Sequence, residues 1–114
     1  MLEKTIKNQI LNWLLHQPST FAFVCPTTGI FDAKRGFWRT SSKRGIPDIL
    51  CCANGCFVGI EVKTPTGRLR PDQKNFADAL TQAGGIFILA RSLEEFQQEW
   101  YNRVYGRKRQ RSQK

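Results

Sequence analysis

The chain has 114 residues, enough for one domain with a single hydrophobic core and too few for two. Its hydrophobic share of 40% and charged share of 24% are ordinary for a globular protein, and no apolar run is long enough to span a membrane. The formal net charge is +9, which favours nucleic acid or an anionic membrane as a partner. The first residues do not form a signal peptide, so we expect a soluble intracellular protein of the cytoplasm, such as that of a bacterium or a phage host.

The first predicted element is an amphipathic helix from Leu2 to Gln17, which Pro18 ends. Its apolar side chains recur at steps of three and four residues, at Leu2, Ile6, Ile10, Trp13 and Leu14. Glu3 lies in the first turn, where a carboxylate complements the helix dipole. A strand is expected next, over Thr20–Cys25.

The segment from Thr27 to Gly45 is polar and is predicted to be a long loop. Long loops inside compact domains are usually functional or mobile. It interleaves cations with aromatic residues. Such a composition suits a phosphate backbone and unstacked bases, although aromatic side chains that pack into the core would produce it too. Lys43 and Arg44 are its strongest candidates for a nucleic-acid contact, because they lie beside the acids of the next motif.

Two short apolar runs joined by Asn54–Gly55 predict a β-hairpin. With a two-residue turn there, Ala53 faces Cys56. The same register places Asp48 opposite Glu61, with Cβ atoms about 4.5–5.5 Å apart. Two carboxylates this close resist ionising together, so a cation between them is expected.

A divalent ion such as Mg²⁺ suits this pair, because it binds one or two carboxylates together with waters and phosphate oxygens. Lys63 falls on the same strand face as Glu61 and would orient a water or stabilise charge on a phosphate. A surface Glu-x-Lys on an amphipathic strand is the common alternative. The presence of Asp48 at the facing position, after Gly45 and Pro47, favours the metal site.

The four cysteines lack the C-x₂-C spacing of a zinc site, and no histidine lies near them in sequence. They are Cys25, Cys51, Cys52 and Cys56. We expect reduced, buried thiols in a reducing compartment, with a zinc-dependent fold as the alternative.

Beyond a turn that carries Arg68 and Arg70, which are further candidates for a nucleic-acid contact, a helix is expected to begin at Pro71 and to end at Gly84–Gly85. Gln73 lies on the apolar face of this helix. A buried glutamine needs a hydrogen-bond partner, and the acid cluster would supply one.

A buried strand is expected over Ile86–Ala90, and Ser92 with Glu95 predicts the capping box of a last helix through Trp100. The element order therefore predicts an α/β domain, with a central mixed β-sheet flanked by helices. From residue 103 the chain carries six cations and no acid, so we divide it into a domain at 1–102 and a basic tail at 103–114. The tail would add DNA affinity through Arg107, Lys108 and Arg109, help assembly, or only aid solubility.

The residues around the acid pair also resemble a known family. Pro47-Asp48 followed by Glu61-Val62-Lys63 is similar to the PD-(D/E)xK nuclease signature. The resemblance to the VRR-Nuc (virus-type replication-repair nuclease) branch covers roughly residues 2–96. It extends to Gly45, Leu69, Gln73, Phe76, Leu80, Gly84 and Gly85.

The resemblance implies a restriction-endonuclease-like core with elements in the order α-β-β-β-α-β-α. It implies a Mg²⁺- or Mn²⁺-dependent endonuclease that hydrolyses DNA phosphodiester bonds in replication or repair. By analogy it also implies a homodimer and a preference for branched or Holliday-junction-like DNA.

By the same resemblance, Asp48, Glu61 and the Val62 carbonyl would hold the metal ion, with Glu3 on the first helix as a further ligand. Lys63 would position the attacking water or stabilise the transition state. Gln73 would orient that water or Lys63. The rival interpretation is a non-catalytic, basic nucleic-acid-binding module in which the acids are vestigial.

Overall fold

The computed structural model describes residues 2–25, 30–32, 34, 36–39 and 44–106. Its helices and strands follow in the order α1 (Glu3–Leu15), β1 (Thr20–Val24), β2 (Ile30–Asp32), β3 (Phe37–Arg39), β4 (Ile49–Ala53), β5 (Cys56–Val62), α2 (Pro71–Gln82), β6 (Ile86–Ala90) and α3 (Leu93–Glu99). A π-helical turn, Trp100–Tyr105, continues α3. None of the helices in these residues is long and apolar enough to cross a membrane.

Four strands form the central sheet in the order β1-β4-β5-β6. The β1–β4 and β4–β5 pairs are antiparallel, whereas β5 and β6 run parallel. A parallel pair needs a long crossover connection, and α2 supplies it. This mixed sheet between helices confirms the predicted α/β fold class.

The turn at Asn54–Gly55 joins β4 to β5 in the predicted register, with Ala53 paired to Cys56. Both turn residues have positive φ, 52° and 80°, as a type I′ turn requires. Asparagine and glycine tolerate this backbone conformation better than other residues. The register predicted for this hairpin is therefore confirmed.

The main hydrophobic core lies on one face of the sheet, beneath α1 and α3. On that face Val58, Ile60 and Val62 of β5 are at most 1% exposed, because alternate residues of a strand point the same way. They pack with buried residues of the helices and the π-helical turn, namely Ile6, Ile10, Leu14, Phe96 and Trp100. Of the apolar stripe predicted for the first helix, α1 buries Ile6, Ile10 and Leu14, whereas Leu2 is 74% exposed.

Helix α2 lies on the opposite face of the sheet, against β5 and β6. Leu80 fills the space beside Gly59 and Gly85, where an added Cβ would meet its side chain. Near the other edge of this face, Phe21 and Phe23 of β1 are 63% and 48% exposed. Part of this face is therefore an open apolar surface.

The segment expected to be a long loop contains a second, two-stranded sheet. Strands β2 and β3 pair antiparallel around Gly36, whose φ is 72°. The expectation of a loop is wrong for these two strands. Aromatic and β-branched residues on both sides of a glycine favour a hairpin, and the many polar neighbours obscured that signal.

The cysteines differ in exposure. Cys25, Cys51 and Cys56 are buried, but Cys52 is exposed, because alternation along β4 turns it to the open face of the sheet. The expectation of a buried thiol is therefore wrong for Cys52. Burial raises the pKa of the Cys51 thiol to about 12, with smaller contributions from Cys52 and Cys56.

Candidate active site

The backbone ladder of the β4–β5 hairpin ends just before the two predicted acids. Its last pair is Ile49 with Ile60, so Asp48 and Glu61 come next on the two strands. There the Asp48 side chain replaces the ladder: its Oδ2 accepts a hydrogen bond from the Val62 backbone N–H at 2.8 Å. The Asp48 carboxyl group lies close enough to Glu61 to raise the pKa of that residue. The structure thus brings the two acids together at the open end of the hairpin.

The Val62 carbonyl points toward the same side as Asp48. The backbone N–H of Lys63 donates to the Ala90 carbonyl of β6 at 3.0 Å. Because a peptide group is planar and trans, the Val62 carbonyl must point the opposite way, away from β6. Two carboxyl groups and one carbonyl, all hard oxygen donors, therefore converge at the end of the hairpin.

Glu61 lies in surroundings that disfavour its negative charge. The residue is 4% exposed. Burial, followed by the charge of Asp48, raises the pKa of Glu61 to about 8, against the opposing effect of Lys63 and Arg70. A carboxyl pair with one buried and one half-buried member binds a proton or a cation, and its oxygen donors are those that Mg²⁺ and Mn²⁺ prefer. The residues present therefore fit such an ion.

Lys63 holds its ammonium at the acid pair. The Nζ atom lies 3.8 Å from Glu61 Oε2, and the Lys63 side chain is 13% exposed. The backbone at Gly67 lies against the aliphatic stem, since an added Cβ there would be 3.4 Å from Lys63 Cβ and 3.5 Å from Cδ. The loop after Lys63 therefore helps to fix the direction of its side chain.

Arg91, directly after β6, fixes that loop. Its Nη1 donates hydrogen bonds to the carbonyls of Thr64 at 2.5 Å and of Gly67 at 2.7 Å. The Gly67 N–H in turn donates to the Thr64 carbonyl at 3.0 Å. The sequence analysis missed this residue, because its contacts span 27 and 24 positions. The available signal was an arginine at the end of a buried strand next to the predicted site.

Gln73 is 5% exposed, and both ends of its side-chain amide have partners. The Oε1 atom accepts a hydrogen bond from the Arg70 backbone N–H at 2.9 Å, as the third residue of a capping box does. The Nε2 atom donates to Glu61 Oε2 at 3.2 Å. The glutamine therefore contacts the acid pair, and its partner there is Glu61 rather than Lys63.

Three of the predicted DNA-contacting arginines, Arg44, Arg68 and Arg70, are exposed. The Arg70 Nε lies 3.3 Å from Asp72 Oδ1. Gly45, with a φ of 76°, approaches the Asp72 backbone carbonyl closely, which brings its neighbour Arg44 to the start of α2. The other four predicted contacts, Lys43, Arg107, Lys108 and Arg109, lie outside the described residues.

Glu3 is exposed on the first turn of α1 and lines a cavity of about 380 Å³ whose wall also includes Asp48. Among the residues that the structure describes, no group of three or more His, Cys, Asp or Glu side chains could hold a metal ion together. Glu3 thus faces the same cavity as Asp48 but does not complete a ligand cluster with the acid pair.

The chain is similar to a known protein family and to a solved structure. The model of the VRR-NUC domain family matches residues 11–94, which include Asp48, Glu61, Lys63 and Gln73. A solved structure described as a VRR_NUC domain protein is similar, with a TM-score of 0.63 and 18% sequence identity over 90% of this chain and 89% of that one. No curated protein matches the sequence. The similarity to the solved structure supports the fold.

Proposed function

The chain belongs to the VRR-NUC domain family, and on that basis we propose that it is a metal-dependent endonuclease that hydrolyses the phosphodiester bonds of DNA. The family implies a nuclease of the PD-(D/E)xK type. The observation that carries the proposal is the carboxyl pair of Asp48 and Glu61, with Lys63 Nζ 3.8 Å from Glu61 Oε2. Like charges directly opposite each other destabilise a hairpin, and a bound cation would relieve that repulsion.

Asp48, Glu61 and the Val62 carbonyl would hold Mg²⁺ or Mn²⁺, and Glu3 would assist from across the cavity that it shares with Asp48. An ion of this kind polarises a phosphate oxygen and lowers the pKa of a bound water. The support for these ligands is their chemistry, since carboxylate and carbonyl oxygens are the donors that hard divalent cations take.

Lys63 would place its ammonium where negative charge grows on the phosphate, or would position the attacking water. Gln73 would contribute indirectly, by positioning Glu61. Its Nε2 donates to Glu61 Oε2 and so holds that carboxyl group in one orientation. The Arg70 N–H fixes the other end of the same amide. Such an arrangement keeps the acid and the ammonium in position before the substrate arrives.

DNA is the proposed substrate because the formal net charge of +9 favours a polyanion. Arg44, Arg68 and Arg70 would contact phosphates, which position a duplex without reading its sequence. Lys43 and the tail residues Arg107, Lys108 and Arg109 would add to this affinity. Contacts of this type support selection by DNA shape, such as a branched or Holliday-junction-like substrate of replication or repair.

We also propose a homodimer, because cutting two strands of a junction requires two sites. Phe21, Cys52 and Phe57 lie side by side across the sheet, and Phe21, Phe23 and Phe57 are 63%, 48% and 47% exposed. A phenylalanine buries about 150–250 Å², so the three expose about 300 Å². That area is more than a third of the ~800 Å² per partner typical of a stable interface.

The test is cleavage of branched, flapped and linear DNA with and without Mg²⁺. We expect Mg²⁺-dependent cutting that Lys63→Ala lowers by about 100-fold or more, with DNA binding retained. Lys74→Ala, which removes an equal charge from the exposed side of α2, is the matched control and should still cut. DNA binding that survives EDTA, with no cleavage of any substrate, would instead favour the non-catalytic binding module.

A further inference from the structure

A cavity of about 380 Å³ opens beside the acid pair, between the first two turns of α1 and the sheet. Its lining residues are Glu3, Lys4, Lys7, Asn8, Val24 and Asp48. Its volume lies within the ~300–1,000 Å³ range of ligand pockets. The cavity therefore extends the candidate site onto a helix that the predicted DNA contacts did not include.

The two cations of this cavity are carried by a helix that packs into the core. Lys4 and Lys7 are three residues apart, and Lys4 and Asn8 are four apart, so all three side chains share one side of the helix. The neighbouring stripe of α1 is anchored in the core, where Ile6 is 2% exposed and Ile10 is fully buried. The two ammonium groups are thus carried by a rigid element rather than by a loop.

The chemistry of the lining separates into three parts. Asp48 and Glu3 supply carboxylates, which repel a phosphate unless a cation neutralises them. Lys4 and Lys7 supply ammonium groups, and Asn8 supplies an amide, all of which can donate to phosphate oxygens. Val24 supplies an apolar surface that suits a deoxyribose. Together they match one sugar–phosphate unit of a strand that reaches the acid pair.

We propose that this cavity binds the nucleotide next to the scissile phosphate on the cleaved strand, with Lys4 and Lys7 paired to its phosphate. The inference rests on the proposed nuclease function and adds the path of the strand. Helix α1 packs on the Ile60 face of the sheet, whereas α2, with Arg70 at its start, packs on the Glu61 face. The DNA strand would therefore be contacted from both faces of the sheet, at the end of the hairpin where the acid pair lies.

The test compares DNA binding by Lys63→Ala with binding by the same protein that also carries Lys4→Ala and Lys7→Ala. The Lys63→Ala background prevents cleavage during the titration, which is made in Mg²⁺ at several salt concentrations. The slope of log K against log salt should fall in magnitude by about 1, because the two lysines neutralise one phosphate and each neutralised phosphate contributes about 0.9. Lys4→Arg with Lys7→Arg should restore the slope, because the charge is retained.

A second measurement locates the contact. DNA strands that carry one uncharged methylphosphonate at each position in turn are titrated against the same proteins. At the phosphate next to the cut, the modification should weaken binding by about fivefold in the reference and much less in the double lysine variant. A variant with Lys74→Ala and Arg103→Ala, two exposed cations outside the cavity, should keep the full effect at that position.

An unchanged salt slope, or the same methylphosphonate pattern in the double lysine variant and the reference, would overturn the inference. The nuclease function is judged separately, by cleavage with the wild-type chain. If the wild type cuts and the slope does not change, the strand takes another path. If the wild type cuts nothing, the nuclease proposal fails, whereas the binding titrations still decide whether the cavity holds a phosphate.

Discussion

At the scale of single residues, Glu61 links the candidate site to the stability of the fold. Its pKa is raised from 4.5 to about 8, by burial first and by the charge of Asp48 second. Between these pH values the folded state binds more protons than the unfolded state, so the free energy of unfolding falls as pH rises. The contribution of this group is fully present below pH 4.5 and is lost as pH rises through about 8.

We therefore expect the thermal unfolding midpoint of the metal-free protein, measured in EDTA, to fall from about pH 5 to about pH 9. The fall should be smaller in Glu61→Gln, which cannot titrate. Glu94→Gln replaces an exposed glutamate of α3 and should follow the wild type. Equal slopes for the wild type and Glu61→Gln would assign the dependence to another group.

Gly45 is the residue at which backbone conformation and close packing coincide. Its φ is 76°, and an added Cβ would collide with the backbone carbonyl of Asp72 at the start of α2. Gly36 has a similar φ of 72°, but an added Cβ there would meet nothing within 4 Å. The two glycines therefore separate the cost of the conformation from the cost of the collision.

Gly36→Ala should cost about 1–2 kcal/mol of unfolding free energy, the penalty for a left-handed conformation. Gly45→Ala should cost about 1–3 kcal/mol more, because the start of α2 must move away. Since Gln73 lies in that first turn, the cleavage rate should fall in Gly45→Ala and not in Gly36→Ala. Chemical denaturation and single-turnover cleavage measure the two effects, and equal losses in both variants would contradict this explanation.

At the scale of elements, the loop after β5 is held by Arg91 rather than by its own sequence. Arg91→Ala removes the hydrogen bonds to the Thr64 and Gly67 carbonyls, and Gly67 packs on the stem of Lys63. We expect kcat to fall by about 10-fold, as a misplaced catalytic group loses alignment, while the affinity for DNA changes little.

Arg103→Ala is the matched control for Arg91→Ala. Arg103 also donates to a backbone carbonyl, that of Phe87 at 2.6 Å, but it lies outside the loop that holds Lys63. Both variants should lose some thermal stability, whereas only Arg91→Ala should lose kcat. A similar kcat in the two variants would show that Arg91 only stabilises the fold.

The elements that the sequence predicted well are those with a local cause. The register of β4 and β5 follows from the turn at Asn54–Gly55, and the start of α2 follows from Pro71. The β2–β3 hairpin was missed, because its short strands lie among polar residues. The role of Arg91 was missed as well, because a contact between positions 27 residues apart leaves no periodic trace.

The same distinction between local and long-range contacts applies to the candidate site. The proximity of Asp48 and Glu61 could be predicted from the sequence, because the turn of one hairpin fixes which residues of its two strands face each other. Lys4 and Lys7 approach Asp48 only through the packing of α1 on the sheet, and amphipathic spacing does not encode which strand a helix end will reach. Gln73 is intermediate: its need for a partner was evident, but the choice of Glu61 depends on where α2 lies.

At the scale of the whole molecule, we expect the open apolar surface formed by Phe21, Phe23 and Phe57 to hold the proposed dimer together. Phe21→Ser with Phe23→Ser should convert the proposed dimer into a monomer, because about two thirds of the exposed aromatic area is lost. Sedimentation velocity measures the change. Leu15→Ser, which alters an exposed apolar residue at the end of α1, is the control and should leave the dimer intact. A wild-type chain that sediments as a monomer would contradict the proposal.

The Asp48 side chain is bonded to the Val62 amide, in the place where the next rung of the sheet would otherwise be. The same carboxyl group would hold the metal ion in the proposed nuclease, so it would combine a structural role with a chemical one. A substitution that removes the carboxylate also removes the acceptor for the Val62 N–H, unless the new side chain keeps an oxygen there, as Asp48→Asn does. Most substitutions of Asp48 would therefore lower the stability of the fold as well as the proposed activity.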